Sequence, residues 1–131
     1  MLKAALITSL LVAILLVAGS SARGGNDYAV VDCTSNTSTF NYSTDTLTIS
    51  GAMAGCPRGT LTISADAWVE YDNGYSQPIR YVPPVTCYAA TSCKFASVSQ
   101  QVCCSSVTIF VGVKGTFPGG SNDVVKSWWR P

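Results

Sequence analysis

The sequence TLTISADAWVEY at residues 60–71 decides the fold class, because apolar side chains recur there at every second position. In an extended chain the odd-numbered side chains point to one face and the even-numbered ones to the other. Such alternation is typical of a half-buried strand. The tripeptide Asp72-Asn73-Gly74 follows directly and predicts a tight turn, since glycine adopts positive φ without steric cost. The segment therefore predicts a long antiparallel strand that ends in a turn.

Further strand patterns surround this segment, and no helical periodicity interrupts them. A valine-rich strand is predicted at residues 101–113, and a hairpin loop at residues 117–120. Shorter strands are predicted at residues 28–33, 46–50, 78–82, 94–99 and 124–129. Three prolines, Pro78, Pro83 and Pro84, predict an irregular excursion at residues 75–92. The expected fold class is all-β: a single antiparallel β-sandwich of immunoglobulin-like size, stapled by disulfides.

A hydrophobic leader occupies residues 1–22. Lys3 precedes a long apolar run, and small residues follow it, which is the layout of a secretory signal peptide. The alternative is a retained hydrophobic helix that serves as a membrane anchor or as the stalk of a filament. Residues 23–131 are then one β-sandwich domain, and the expected location is extracellular or at the cell surface.

Charge is sparse and balanced outside the leader. Charged residues make up 11% of the chain, and the basic ones are scattered along it. No basic patch suited to nucleic acid can be built from them, so nucleic acid is excluded as a partner. Membrane contact is expected only if the leader is retained.

All six cysteines are expected to form disulfides in an oxidising compartment. Cys87 and Cys93 are the natural local pair. Cys103 and Cys104 are adjacent. A ring closed across one peptide bond is strained and neighbours on a strand point to opposite faces, so we expect them to bond not to each other but to Cys33 and Cys56. The chain has no histidine and no CxxC spacing, so we expect no metal site.

The missing histidine also removes the usual general base, so we expect no catalytic residue, no cofactor and no enzymatic activity. Asp66 and Glu70 share a strand face, but four residues of strand separate them by about 13 Å. That distance exceeds the span of glycosidase carboxylate pairs.

Aromatic side chains are the candidates for contact with a ligand or partner. They comprise Trp68, Tyr71, Tyr75, Trp128 and Trp129. Exposed aromatic side chains among serine and threonine hydroxyls are suited to binding sugars or proteins. The alternative is that Trp68 and one of the C-terminal tryptophans cover a second sheet face. On a strand, one ring of Trp128 and Trp129 points inward and the other outward.

Two glycosylation sequons, at Asn36 and Asn41, lie in a hydroxyl-rich stretch of the chain. They predict a surface loop or edge strand that bears glycans. A polar strand and loop without sugar is the alternative.

A partial family resemblance rests on Val31-Asp32-Cys33 and on the short loop between Cys87 and Cys93 after a proline-rich stretch. With the leader and six cysteines, these pieces resemble the secreted ML lipid-recognition family, which implies a lipid-binding β-sandwich. The chain departs from that family's cysteine spacing and adds the adjacent pair, so no binding residue is transferred.

Two function classes follow. The first is a non-enzymatic extracellular structural or adhesive subunit, which self-associates into a filament or surface layer through strand edges or a retained N-terminal helix. The second is a soluble secreted module that binds lipid, carbohydrate or protein.

Overall fold

The structure is a computed structural model and describes residues 33–131. Within this range the chain forms antiparallel strands and no helix, and accordingly no helix that could cross a bilayer. The leader and all of the predicted strand 28–33 except Cys33 lie outside the described residues. The strands are β1 (Ser35–Asn36), β2 (Thr39–Asn41), β3 (Thr46–Ile49), β4 (Gly51–Met53), β5 (Gly59–Tyr71), β6 (Ser76–Ala90), β7 (Cys93–Lys94), β8 (Val98–Gln101), β9 (Val107–Phe117) and β10 (Gly120–Arg130).

The first layer is a four-stranded antiparallel sheet in the order β10-β9-β5-β6. One of its two central strands, β5, confirms the strand predicted at residues 60–71. The odd-numbered side chains of β5 and β9 point to one face and are buried, with Leu61, Val69 and Ile109 fully so. The even-numbered side chains point to the other face, which we call the outer face.

The second layer consists of two small sheets, β1-β4-β7 and β2-β3-β8. It supplies buried side chains such as Leu47 and Ile49 to the same core cluster as β5 and β9. The layers approach closely, because a Cβ added to Gly51 on β4 would lie 2.8 Å from both Phe95 Cε2 and Val113 Cγ1. The expected all-β sandwich is therefore confirmed.

The irregular excursion predicted at residues 75–92 is wrong, because β6 is a strand of 15 residues, which includes the strand predicted at residues 78–82. Proline lacks an N–H group and is tolerated on a strand that pairs on one side only. β6 is such an edge strand, and its register with β5 shifts near Pro78 and again near Pro83 and Pro84. The prolines therefore mark an edge and its bulges.

The strand predicted at residues 101–113 is broken in the structure. β8 ends at Gln101 and β9 begins at Val107. Between them, Val102 donates its N–H to the Asp45 carbonyl and Ser106 has a φ of 56°. The hairpin loop predicted at residues 117–120 is confirmed.

The disulfide connectivity corrects the expected pairing of Cys103 and Cys104. The bonds are Cys33–Cys56, Cys87–Cys93 and Cys103–Cys104. The local Cys87–Cys93 pair is confirmed. We expected no bond between adjacent cysteines because of ring strain and strand alternation. Cys103 and Cys104 nevertheless bond each other, and they lie in the irregular segment between β8 and β9, where alternation does not apply. Cys33 and Cys56 are then left to bond each other.

The disulfides are expected to differ in their effect on stability, because the entropy removed from the unfolded chain grows with the enclosed loop. Replacing Cys33 and Cys56 by alanine opens a loop with a sequence separation of 23 and should lower the free energy of unfolding by about 3 kcal/mol. Replacing Cys103 and Cys104 opens almost no loop and should cost less than about 1 kcal/mol. Urea unfolding monitored by circular dichroism measures both. An equal loss in the two variants would contradict the argument.

Candidate functional site

The outer face of the four-stranded sheet has two chemically different halves. One half presents hydroxyls from all four strands: Thr62, Ser64, Thr86, Thr116 and Ser121. The other half, which we call the aromatic face, presents Trp68, Pro78, Tyr81, Phe110, Val125 and Trp129. Tyr81, Val125 and Trp129 are each at least half exposed. The aromatic face is therefore an exposed and mostly apolar patch, with the carboxylate Asp66 opposite Tyr81, and patches of this kind mark interaction sites.

Trp68 is the centre of the aromatic face and is held in place on two sides. Its ring stacks on that of Phe110, with the centroids 5.3 Å apart and the planes inclined by 7°. Its indole Nε1–H donates to Glu70 Oε2 at 3.3 Å. A Cβ added to Gly112 would lie 3.5 Å from Cζ3 of Trp68, an ordinary van der Waals distance, so the indole ring also lies close to the backbone of β9. The indole is thus positioned before any ligand arrives.

A groove of about 530 Å³ runs beside Trp68, between β5 and β6. It is lined by Asp66, Ala67, Trp68, Pro78, Ile79, Arg80 and Tyr81. The register shift between Ala67 and Trp68 leaves Ile79 without a partner on β5. Such a bulge bends the strand locally and re-aims the neighbouring side chains. The groove therefore follows from the irregular edge strand.

A second cluster lies at the end of the sheet, around the bond between the adjacent cysteines. The Tyr71 hydroxyl is 3.2 Å from both Gln77 Oε1 and Cys104 Sγ. Arg130 pairs with Asp45 through two contacts, of 3.0 and 2.7 Å, and also donates to the Cys104 carbonyl. These contacts fasten the end of β10 to the turn between β2 and β3 and to the segment between β8 and β9. We interpret the cluster as structural.

The structure separates the aromatic residues predicted as contacts. Trp68 and Trp129 lie on the outer face, whereas Trp128 packs against the core, as strand alternation predicted. Tyr71 also packs against the core, and its ring centroid is 5.8 Å from that of the exposed Tyr75. Trp68 and Trp129 therefore belong to the aromatic face, and the other three do not.

Sequence reasoning missed Phe110, Tyr81 and Val125 as members of the aromatic face. Alternation places Phe110 on the outward side of its strand, but it does not show which residue lies opposite. That requires the cross-strand register, in which Phe110 faces Trp68 and Tyr81 faces Asp66. No local sequence signal specifies that register, so these residues could not be found from the sequence.

The two sequons differ in the structure. The Asn36 side chain accepts a hydrogen bond from the Ser38 N–H at 2.8 Å, and its Nδ2 atom is buried without a hydrogen-bond partner. Asn41 is exposed, and its Oδ1 atom accepts from both the N–H and the hydroxyl of Ser43. Glycans attach through the asparagine amide nitrogen, so the geometry favours Asn41 and opposes Asn36.

No metal-binding group is present among residues 33–131, where no three His, Cys, Asp or Glu side chains gather. All six cysteines are in disulfides and offer no thiolate. Within the described residues, the features that could contact a ligand or partner are an aromatic patch, a groove and the edges of a sheet.

Comparison with protein-family models, with curated proteins and with solved structures finds no match for this chain.

Glycosylation provides a direct test of the sequon geometry. When the full chain is secreted from a eukaryotic host, we expect folded protein to have a glycan at Asn41 and none at Asn36, because a glycan on a buried nitrogen prevents packing of the surrounding strands. Peptide mass spectrometry after enzymatic deglycosylation identifies each modified asparagine by its conversion to aspartate. An Asn41→Gln variant should run as a single unglycosylated species. Modified Asn36 in folded protein would contradict the structure.

Proposed function

We propose that this chain is a non-enzymatic extracellular structural or adhesive subunit that joins a second copy of itself along β10. The observation that supports this most is the free edge of that strand. β10 has 11 residues and contains no proline, and within residues 33–131 no strand pairs with its outer side. An edge of this length is a ready template for another chain.

The opposite edge of the same sheet is protected. β6 contains three prolines, which lack N–H donors, and its register shifts repeatedly. Prolines and bulges are devices that block edge-to-edge pairing. The two edges therefore differ in their ability to accept a strand, and the difference favours β10.

The outward-pointing groups of β10 follow from the turn before it. Pro118 and Gly119 form a two-residue loop between the paired residues Phe117 and Gly120, and Gly119 has a φ of 94°. The pair that closes such a hairpin exchanges hydrogen bonds, and bonded and non-bonded pairs then alternate. Even-numbered residues of β10 consequently bond to β9. Odd-numbered residues direct their N–H and C=O groups away from the sheet.

The whole of β10 can pair with a second copy of itself in one register. In an antiparallel pair centred on Val125, Gly120 lies opposite Arg130 of the second copy and the strands overlap completely. Val125 then lies opposite Val125, and both have outward-pointing groups, so the central pair is a bonded one. The contact is self-complementary, as a two-fold symmetric interface requires.

Charges do not oppose this register. Asp123 lies opposite Ser127 of the second copy, and Lys126 lies opposite its Val124, so no like charges face each other. The Lys126 ammonium donates to the Ser38 carbonyl at 3.1 Å, which directs it toward the second layer and away from the edge. Two exposed apolar side chains, Val125 and Trp129, gain cross-strand neighbours.

This contact is isologous and closes on itself as a pair of subunits. Growth into a filament through the sheet would need the edge of β6, which the prolines disfavour. The three disulfides are compatible with an oxidising environment outside the cytosol. These features support a subunit of a paired surface component more than a long β-sheet fibre.

A Val125→Pro variant tests the role of the β10 edge. Val125 lies opposite Gly112 in a non-bonded pair, so proline removes an outward N–H group and leaves the bonds to β9 in place. We expect the full-length wild type to be dimeric in sedimentation analysis and Val125→Pro to be monomeric with its circular dichroism unchanged.

The matched control is Val125→Thr, which changes the side chain but keeps the N–H group, and it should remain dimeric. A wild type that stays monomeric at high concentration would overturn the proposal. Equal association of the proline variant would place the contact elsewhere on the surface.

A soluble secreted binding module is the second candidate, and the groove beside Trp68 is the observation that favours it. A lipid between the two layers is not supported, because side chains such as Leu47, Met53 and Ile109 already fill that space and are almost fully buried.

A further inference from the structure

We propose that the groove beside Trp68 binds a cationic group, such as a quaternary ammonium ion or the ammonium of a lysine side chain. The groove lies between β5 and β6 and is separate from the edge of β10, so this proposal does not depend on subunit pairing. It rests on two features of the groove: aromatic rings along its sides and uncompensated carboxylates beside it.

The aromatic rings come from two strands. Trp68 lies on β5 opposite Pro78, and Tyr81 lies on β6 opposite Asp66, so the two rings are diagonal neighbours across the groove. Phe110 on the neighbouring strand covers one face of Trp68. Trp68 also lines the groove, and the electron-rich face of an indole ring attracts a cation.

Two carboxylates flank the indole on β5. Asp66 lines the groove, and Glu70 accepts the indole N–H on the other side of Trp68. Neither carboxylate forms an ion pair with any residue in the described part of the chain. A cation in the groove would therefore meet an attractive field as well as an aromatic surface.

The basic residues nearby form no ion pair with these carboxylates in the described part of the chain. Arg80 lines the groove, but it pairs with the inward-facing Ala67 and its Nη1 atom donates to Gln100 Oε1 at 3.4 Å. That bond directs its guanidinium toward the second layer. Lys114 lies opposite both Ser64 and Asp123, on the hydroxyl half of the outer face.

The groove is also preformed. Stacking and a hydrogen bond fix Trp68, and the β-bulge at Ile79 shapes the floor, so little ordering is needed when a ligand binds. Preorganisation of this kind reduces the entropic cost of association. A small cation should therefore bind without a change in the sheet.

Tetramethylammonium chloride is the probe for this proposal, and tert-butanol is its neutral counterpart of similar shape. The chain has three tryptophans, and their indole N–H signals can be assigned in NMR spectra with Trp128→Phe and Trp129→Phe variants. We expect tetramethylammonium to shift the Trp68 signal saturably in the full chain at constant ionic strength. Sodium chloride and tert-butanol should not shift it.

The charge contribution is tested by Asp66→Asn, with Asp123→Asn as the matched control on the same face. Both residues are exposed, so neither change threatens folding. Removing the carboxylate in the groove should weaken tetramethylammonium binding by about fivefold. The control should bind as the wild type does.

Other outcomes would overturn the proposal. An equal response to tert-butanol would mean an apolar groove without charge selectivity. A response to the neutral disaccharide maltose in place of tetramethylammonium would identify a saccharide site, and no response to any probe would leave the groove without a ligand of these classes. Val125→Pro should bind the cation normally, so a failure here is distinguishable from a failure of subunit pairing.

Discussion

The burial of one face of β5 is the constraint on which the rest of the structure depends. A strand with apolar side chains at every second position must cover that face, and its buried backbone N–H and C=O groups must be hydrogen-bonded. β9 and β6 satisfy the edges, and the second layer covers the apolar face with residues such as Leu47 and Met53. The other face is exposed to solvent. Its side chains are not needed for the core and are therefore available for binding. The same alternation therefore sets both the core and the candidate site.

The sequence predicted the elements whose signal is local. Alternation in residues 60–71 defines β5, and Phe117-Pro118-Gly119-Gly120 defines the turn before β10, because both patterns act within one segment. Only residues 78–82 of β6 were predicted as a strand, since proline opposes a strand in general and is tolerated only on an edge. Which strand becomes an edge depends on the tertiary arrangement. The contact of Trp68 with Phe110 depends on register between distant segments for the same reason.

The cysteines illustrate a similar limit. Cys87 and Cys93 are close along the chain, and their pairing follows from distance alone. The bond between Cys103 and Cys104 depends on whether they lie inside a strand or between strands, and the valine-rich pattern after them suggested the former. Since this bond encloses no loop, it joins no elements. At the same end of the sheet, elements are joined by the charge-assisted pair of Arg130 and Asp45. This pair holds the end of β10 in place.

Pairing along β10 and binding in the groove would reinforce each other geometrically. In an antiparallel pair of edge strands the two-fold axis is perpendicular to the sheet, so the outer faces of both copies point in the same direction. Two grooves beside Trp68 would then lie on one continuous surface, with Trp129 of each copy between them. A surface that presents several cationic groups would engage both grooves at once, and the second contact would be intramolecular. Weak binding at each groove would then be sufficient for firm adhesion, because the rigid sheet would fix the spacing between the two grooves.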